Sequence, residues 1–228
     1  MPPAPVIAVV DYGFGNLRSV AKALERCELA VSVTGDPKEV ARADGVVLPG
    51  VGAFKDAAES LAGKGLDAAV VRAIEAGRPY LGLCLGLQLL FEEGREHGTT
   101  PGFGLLPGAV ERFPEEAAGG GALCVPHIGW NEVTFSGSHP MLAALPEREH
   151  YYFVHSYHAV PASDADVVGR TEYGGRSFAS AVAREGLFAV QFHPEKSQTA
   201  GHRPREAYCP GVRGRTARAA PSAPRRRW

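Results

Sequence analysis

Short, wholly apolar runs alternate with amphipathic stretches along the first part of the chain, the order expected of an α/β domain built on a largely parallel sheet. Val6-Ile7-Ala8-Val9-Val10 is apolar at every position, as a strand buried on both faces must be. A glycine-rich turn follows, then a helix predicted from about Leu17 to Cys27. Ala30–Thr34 is the next strand, and Asp36-Pro37 supplies an N-cap and a first-position proline for a short helix. Gly45–Leu48 is a third strand, followed by Pro49-Gly50-Val51-Gly52 and a helical region to about Ala76. Pro79–Leu83 is a fourth strand that leads straight into Cys84 and a helical run, Leu85–Phe91.

From Gly94 to Gly108 the chain is rich in glycine and turns. Beyond that, shorter strands with aromatic and β-branched residues are predicted at Ala109–Phe113, Tyr151–His155, Val167–Glu172, Phe178–Ala183 and Leu187–Phe192. Tyr173-Gly174-Gly175-Arg176 is a hairpin signal between two of them. The expected fold is therefore α/β: a mostly parallel central sheet flanked by helices, with a mixed or antiparallel extension in the second half.

Length and cysteine usage narrow the classes. The 228 residues allow one large domain or two small ones at roughly 150 residues per domain. None of the four cysteines, Cys27, Cys84, Cys124 and Cys209, forms a C-x-x-C pair, which argues against a zinc ribbon or a disulfide scaffold. Cys27 and Cys124 are expected to be inert small hydrophobes. His97, His139 and His150 lack ligand-like spacing, so no metal is expected. No apolar run approaches the roughly 18 residues of a membrane span, and the N-terminus lacks the basic head of a secretory signal. A cytoplasmic protein is the expectation.

The net charge of −1 hides a division. Residues 202–228 hold eight arginines and one acid, whereas the rest of the chain carries 16 basic and 24 acidic side chains. The mildly acidic body shows no broad nucleic-acid footprint. The tail has four prolines and no Leu, Ile, Phe or Met, so residues 1–201 are assigned as the domain and 202–228 as a basic, disordered segment.

Candidate chemistry centres on Gly82-Leu83-Cys84-Leu85-Gly86, the thiol counterpart of a nucleophile elbow between a strand and a helix. A nucleophile on so tight a turn needs glycine two residues to either side, and the helix start offers free N–H groups and a positive dipole end. The Leu85 N–H is placed to donate to a developing oxyanion. The alternative is a buried cysteine in a glycine-rich turn. A thiolate that breaks an amide also needs an acid for the departing amine, and Gln191-Phe192-His193-Pro194-Glu195 ends an apolar strand. Strand alternation puts Phe188, Val190 and Phe192 on one face and Gln191 and His193 on the other. Pro194 keeps His193 extended and brings Glu195 within reach of the imidazole, giving nucleophile, base and orienting carboxylate. Pro49-Gly50-Val51-Gly52-Ala53-Phe54 follows another buried strand and is a candidate second oxyanion donor. Gln88 lies one helical turn after Cys84, positioned to contact substrate or to cap the pocket. Asp11–Asn16 lacks G-x-G-x-x-G spacing, which argues against dinucleotide binding.

Together GLCLGLQ, QFHPE and PGVGAF resemble the motifs of class I (triad) glutamine amidotransferases. Asp11-Tyr12-Gly13-Phe14-Gly15-Asn16, His127-Ile128-Gly129-Trp130-Asn131, Tyr152–His158 and Lys196-Ser197 narrow the resemblance to the glutaminase subunits of imidazole glycerol phosphate synthase, over about Val6 to Gly201. The resemblance implies that Cys84 attacks the carboxamide of glutamine, that His193 protonates the departing ammonia, and that Glu195 orients His193. It implies a glutamine pocket lined by Gly50, Gly52, Leu85, Gln88, Ser156 and Tyr157. No cofactor is implied. Ammonia would pass to a (β/α)-barrel cyclase subunit in a heterodimer, serving histidine biosynthesis. Trp130, Tyr152 and Lys196 match positions near that contact; without the family, Trp130 and Tyr152 read as core aromatics.

Two alternatives stay open at this point: a triad amidotransferase of another pathway, and a catalytically impaired binding subunit. The second rests on the C-terminus, where the family pattern of a leucine-ending helix gives way to His202-Arg203-Pro204-Arg205. Pro204 is expected to break a helix there. The Arg/Pro/Ala/Gly composition is that of an out-of-frame reading of a GC-rich gene; a basic arm that binds nucleic acid is the competing explanation.

Overall fold

The computed structural model describes residues 4–26, 29–204 and 208. Its first half alternates strand and helix: β1 (Val6–Val10), α1 (Leu17–Glu25), β2 (Ala30–Thr34), α2 (Pro37–Arg42), β3 (Gly45–Gly50), α3 (Phe54–Gly63), α4 (Leu66–Glu75), β4 (Tyr80–Cys84) and α5 (Leu85–Gln88). The second half is almost all strand: β5 (Phe91–Gly94), β6 (Thr100–Pro101), β7 (Leu106–Arg112), β8 (His127–Phe135), β9 (Arg148–His155), β10 (Tyr157–Pro161), β11 (Val167–Tyr173), β12 (Arg176–Arg184) and β13 (Leu187–Val190).

One sheet runs through the molecule in the order β2-β1-β3-β4-β13-β12-β10-β7-β5-β6. The first five strands are parallel, and β13, last in sequence, slots in beside β4. From β13 the sheet turns antiparallel through β12, β10 and β7, so the mixed extension expected from the sequence is present. With β13 in the place of the fifth parallel strand, this is the strand order of flavodoxin-like folds, which gather ligands at the carboxyl ends of their strands.

Side-chain parity divides the core in two. Ala8, Val10, Val46, Leu48, Tyr80 and Ala189 face one layer, packed against α2, α3 and α4 through Val40, Phe54, Leu61, Leu66 and Val70. Ile7, Val9, Val47, Leu81, Leu83, Phe188, Val190 and Phe192 face the other, covered by α1 through Val20 and Leu24 and by the aromatic strands through Phe135, Tyr151 and Phe153. Asp36 caps α2 by accepting from the Lys38 N–H at 2.8 Å, with Pro37 opening the helix.

Several boundaries differ from those predicted. The helical region before Ala76 is two helices, broken at Gly65, whose φ of +67° ends the first. The run predicted as helix to Phe91 stops at Gln88, because the Leu89 and Leu90 carbonyls accept from the amides of Phe103, Leu105 and Leu106 instead. Strand β8 was not foreseen: Ile128 and Trp130 are 59% and 47% exposed, which inverts the apolar-in pattern at its start. Cys124 is exposed rather than buried. Cys27 lies outside the described residues.

The assignment of disorder from His202 also needs correction. Residues 202–204 are helical, and Pro204 falls in the first turn, where a missing N–H costs no hydrogen bond. Tyr208 is buried in the second core layer. Its hydroxyl lies 3.1 Å from the Pro79 carbonyl and 3.3 Å from that of Val46. Counting only Leu, Ile, Phe and Met passed over this tyrosine. The remaining tail residues, and with them the reading-frame question, lie outside the described residues. Emptying a site filled by a large aromatic costs about 3–5 kcal/mol, so Tyr208→Ala should lower the unfolding free energy by that much and shift the urea midpoint down in proportion. A midpoint unchanged in urea titration would show that Tyr208 contributes no packing.

Candidate active site

Three parallel strands deliver the site at their carboxyl ends. Strand β3 ends at Gly50 opposite Cys84, and Leu83 is in register with Val190, three residues before His193. Tyr80 and Ala189 face the same layer, so alternation carries Gly82, Cys84, Gln191 and His193 to that face as well. A cavity of about 460 Å³ opens there, lined by Val51, Gly52, Cys84, Leu85, Gln88, Glu96, Pro126, Val154, His155, Ser156, Tyr157, His193 and Lys196.

The turn at Cys84 explains its flanking glycines. Cys84 sits at φ 54°, ψ −104°, a strained conformation that costs of order 1–3 kcal/mol. A Cβ on Gly82 would lie 2.6 Å from the Gly86 carbonyl oxygen, and one on Gly86 would lie 2.0 Å from that of Leu48. The helix that starts at Leu85 therefore lies directly on the sheet. Gly52, at φ +99°, turns the segment after β3 toward the cavity.

His193 is buried, and its Nδ1 donates to Glu195 Oε1 at 2.8 Å, which leaves Nε2 as the base on the Cys84 side. Nε2 is buried with no hydrogen-bond partner, and the imidazole lines the same cavity as Cys84. Burial pulls the His193 pKa down, but the Cys84 charge and contact, followed by Glu195, outweigh it and raise the pKa to about 10. Burial pushes the Glu195 pKa up, and the His193 hydrogen bond and charge reverse this, for a net lowering. The backbone of His193 is pinned too: its N–H donates to the Tyr152 carbonyl at 2.9 Å, and Ser197 Oγ donates to the His193 carbonyl at 2.7 Å. Ser197 Oγ in turn accepts from the Tyr152 N–H at 3.0 Å.

A second polar chain runs behind the cavity. His155 Nδ1 lies 2.8 Å from the Tyr157 carbonyl, and His155 Nε2 lies 3.1 Å from His127 Nδ1. Asn131 Nδ2 lies 3.2 Å from His127 Nε2. The carbonyl forces Nδ1 of His155 to be the donor, so both rings are neutral with the proton on Nδ1. Burial holds both pKa values down, to about 3 for His155 and about 4 for His127.

Most of the residues expected at the site come together. Cys84 and His193 line the one crevice, with Glu195 behind the imidazole. Gly52, Leu85, Gln88, Ser156, Tyr157 and Lys196 also line it. Gly50 does not; it packs beneath, where a Cβ would meet the Tyr12 hydroxyl and Leu85. Trp130 and Tyr152 are cross-strand partners with ring centroids 6.3 Å apart, and Lys196 Nζ sits 5.8 Å above the Tyr152 ring. The exposed Trp130 excludes the reading of it as a core aromatic. Sequence reasoning missed Glu96 and His155, which line the cavity but stand outside any strand-turn-helix signal. Among the described residues no cluster of His, Cys, Asp or Glu is arranged to hold a metal ion.

A cysteine on an elbow and a histidine bonded to a carboxylate, on one cavity at the ends of parallel strands, are the groups that thiol-dependent acyl transfer requires. The family model of Glutamine amidotransferase class-I matches residues 8–206, and the chain belongs to that family. Within it, the chain is similar to the "Imidazole glycerol phosphate synthase subunit HisH" of Methylococcus capsulatus, 52% identical over 202 residues covering 86% of this chain and 92% of that one. It is also similar to the protein of the same name from Aromatoleum aromaticum, 52% identical over 86% of this chain and 93% of the relative. Among solved structures, that of PurLQS from Thermotoga maritima superposes with a TM-score of 0.70 at 21% identity, covering 94% of this chain and 100% of the other. That likeness shows the fold.

The charges fix a pH signature. His193, with its pKa raised, adds stability that is complete below about pH 6.5 and is lost as pH climbs toward 10. His127 and His155, with pKa values lowered, cost stability as pH falls below about 6.5, where the unfolded rings take up protons first. The melting temperature should therefore peak near about pH 6.5, and Cys84→Ala should flatten the alkaline limb by removing the charge that raises His193. An alkaline limb identical in the two proteins would contradict this coupling.

Proposed function

We propose that this chain is the glutaminase subunit of an imidazole glycerol phosphate synthase, hydrolysing L-glutamine to glutamate and ammonia for histidine biosynthesis. The observation that carries this is the placement of Cys84 and His193 on one cavity at adjacent strand ends.

In this reading the Cys84 sulfur attacks the side-chain carboxamide carbon of glutamine. The oxyanion so formed is met by the Leu85 N–H and a backbone N–H of the segment holding Gly50 and Gly52; one such donor is worth about 2.7–4 kcal/mol. His193 Nε2–H gives its proton to the departing nitrogen, the C–N bond breaks, and ammonia leaves a thioester on Cys84. The now neutral Nε2 takes a proton from water, the hydroxide displaces the sulfur, and glutamate is released. Glu195 keeps Nδ1 protonated and the ring in place throughout. Among the described residues Glu96 is the one carboxylate lining the cavity, complementary to the α-ammonium of an amino-acid substrate, while Gln88, Ser156 and Tyr157 contact its polar ends.

Ammonia passes to a cyclase subunit bound at the patch of exposed Trp130 and Lys196 and half-buried Tyr152. Exposed aromatics of this kind anchor interfaces, and Tyr152 is bonded through its backbone to His193 and Ser197, which links docking to the base. The proposed location is the cytoplasm; no helix among the described residues is long and apolar enough to cross a membrane.

Ammonia release from glutamine should be low for the chain alone and strongly stimulated by the liganded cyclase. Cys84→Ala should abolish it without loss of complex formation. His193→Ala should cost more than Glu195→Gln, because proton transfer demands more than orientation. Residual turnover in Cys84→Ala would refute the nucleophile. Trp130→Ala should weaken cyclase binding by about 2 kcal/mol or more, the cost of a lost interface anchor, in a calorimetric titration; unchanged affinity would move the interface elsewhere.

A further inference from the structure

Gln191 is fully buried beside the nucleophile, and its hydrogen bonds leave its amide only one orientation. The Tyr157 carbonyl can only accept, so the atom of Gln88 that lies 2.9 Å from it must be Nε2. The same Nε2 lies 3.0 Å from Gln191, which must therefore present Oε1 to it. The remaining end of the Gln191 amide is Nε2, and it points an N–H at Cys84 Sγ, 3.5 Å away. His155 also bonds the Tyr157 carbonyl, so the anchor at the head of this chain is held from two sides. The Gln191 N–H is fixed in turn on the Ser180 carbonyl at 2.9 Å, which keeps the backbone from swinging the side chain away.

We propose that Gln191 belongs to the catalytic group, its Nε2 holding the Cys84 sulfur in attacking position, with Gln88 setting the orientation of that amide through the Tyr157 carbonyl. A donor fixed on the sulfur holds it in place over the cavity, and hydrogen bonds to a charged acceptor are the stronger kind. Gln191 approaches the sulfur from the strand end that also carries His193, two residues before that histidine in the chain. Gln88 thus acts twice: it lines the cavity, and both of its N–H groups are already committed inside the protein. What it has left to offer a substrate is its Oε1, an acceptor.

The inference rests on Cys84 being the nucleophile, and the test separates the two. Steady-state ammonia release is measured for the complex with the cyclase, using wild type, Cys84→Ala, Gln191→Met and Gln191→Glu. Methionine keeps the volume and loses the donor; kcat should fall about ten- to hundredfold, the effect of one hydrogen bond to a charged group, with KM within about threefold of wild type. Glutamate keeps the bond from Gln88 but sets a carboxylate against the sulfur, so its deficit relative to wild type should deepen as pH rises. A kcat for Gln191→Met within about twofold of wild type, with Cys84→Ala inactive, would overturn the role of Gln191 alone. Turnover by Cys84→Ala would overturn the nucleophile instead. If the methionine variant does not fold, the wild-type protein still decides the matter. Alkylation of Cys84 should shift the side-chain amide resonances of Gln191, and unchanged resonances would refute the contact.

Discussion

The parallel pairing of β4 with β13 is the constraint on which the site depends. These strands are far apart in sequence, yet their register brings Leu83 opposite Val190, and from there the chain needs one residue to reach Cys84 and three to reach His193. A slip of one residue would send Gln191 and His193 into the aromatic layer and Phe192 into the cavity. What prevents that slip is packing: Phe188, Val190 and Phe192 are all buried against the second layer, with Phe192 stacked on Tyr151 at 3.9 Å between ring centroids. The apolar face of one short strand thus sets the geometry of the polar one.

Buried polar groups then remove the freedom that packing leaves. The carbonyls of Tyr152 and Tyr157 are fixed acceptors, and each dictates a donor: the His193 amide for the first, Gln88 and His155 for the second. Ser197 closes the loop between Tyr152 and His193. The strand that exposes Trp130 pairs with the strand of Tyr152, whose carbonyl accepts from the His193 N–H, so backbone hydrogen bonds join the surface patch to the imidazole. Strain at Cys84 is tolerated because Gly82 and Gly86 let helix α5 press onto β3 and β4.

The parallel strands, the elbow and the Cys-His-Glu combination were legible in the sequence because each has a local signal: apolar runs, glycines two residues from Cys84, and a proline after His193. Other features had none. The end of α5 depended on which amides would claim the Leu89 and Leu90 carbonyls, and those come from residues 103–106. Strand β8 was hidden because its exposed Ile128 and Trp130 serve the surface rather than the core. The burial of Tyr208 depended on carbonyls at the amino ends of β3 and β4, which no pattern within the tail reveals. Gln191 was placed on the correct face by alternation, but its bond to the sulfur required the orientation of Gln88.

The most direct test of the account is to trap the enzyme with an electrophilic diazo or chloroketone analogue of glutamine and map the adduct by peptide mass spectrometry. A single modification is expected, on Cys84, that excess glutamine prevents and that His193→Ala slows. Modification at Cys124 or another residue, with Cys84 left free and glutamine giving no protection, would contradict it.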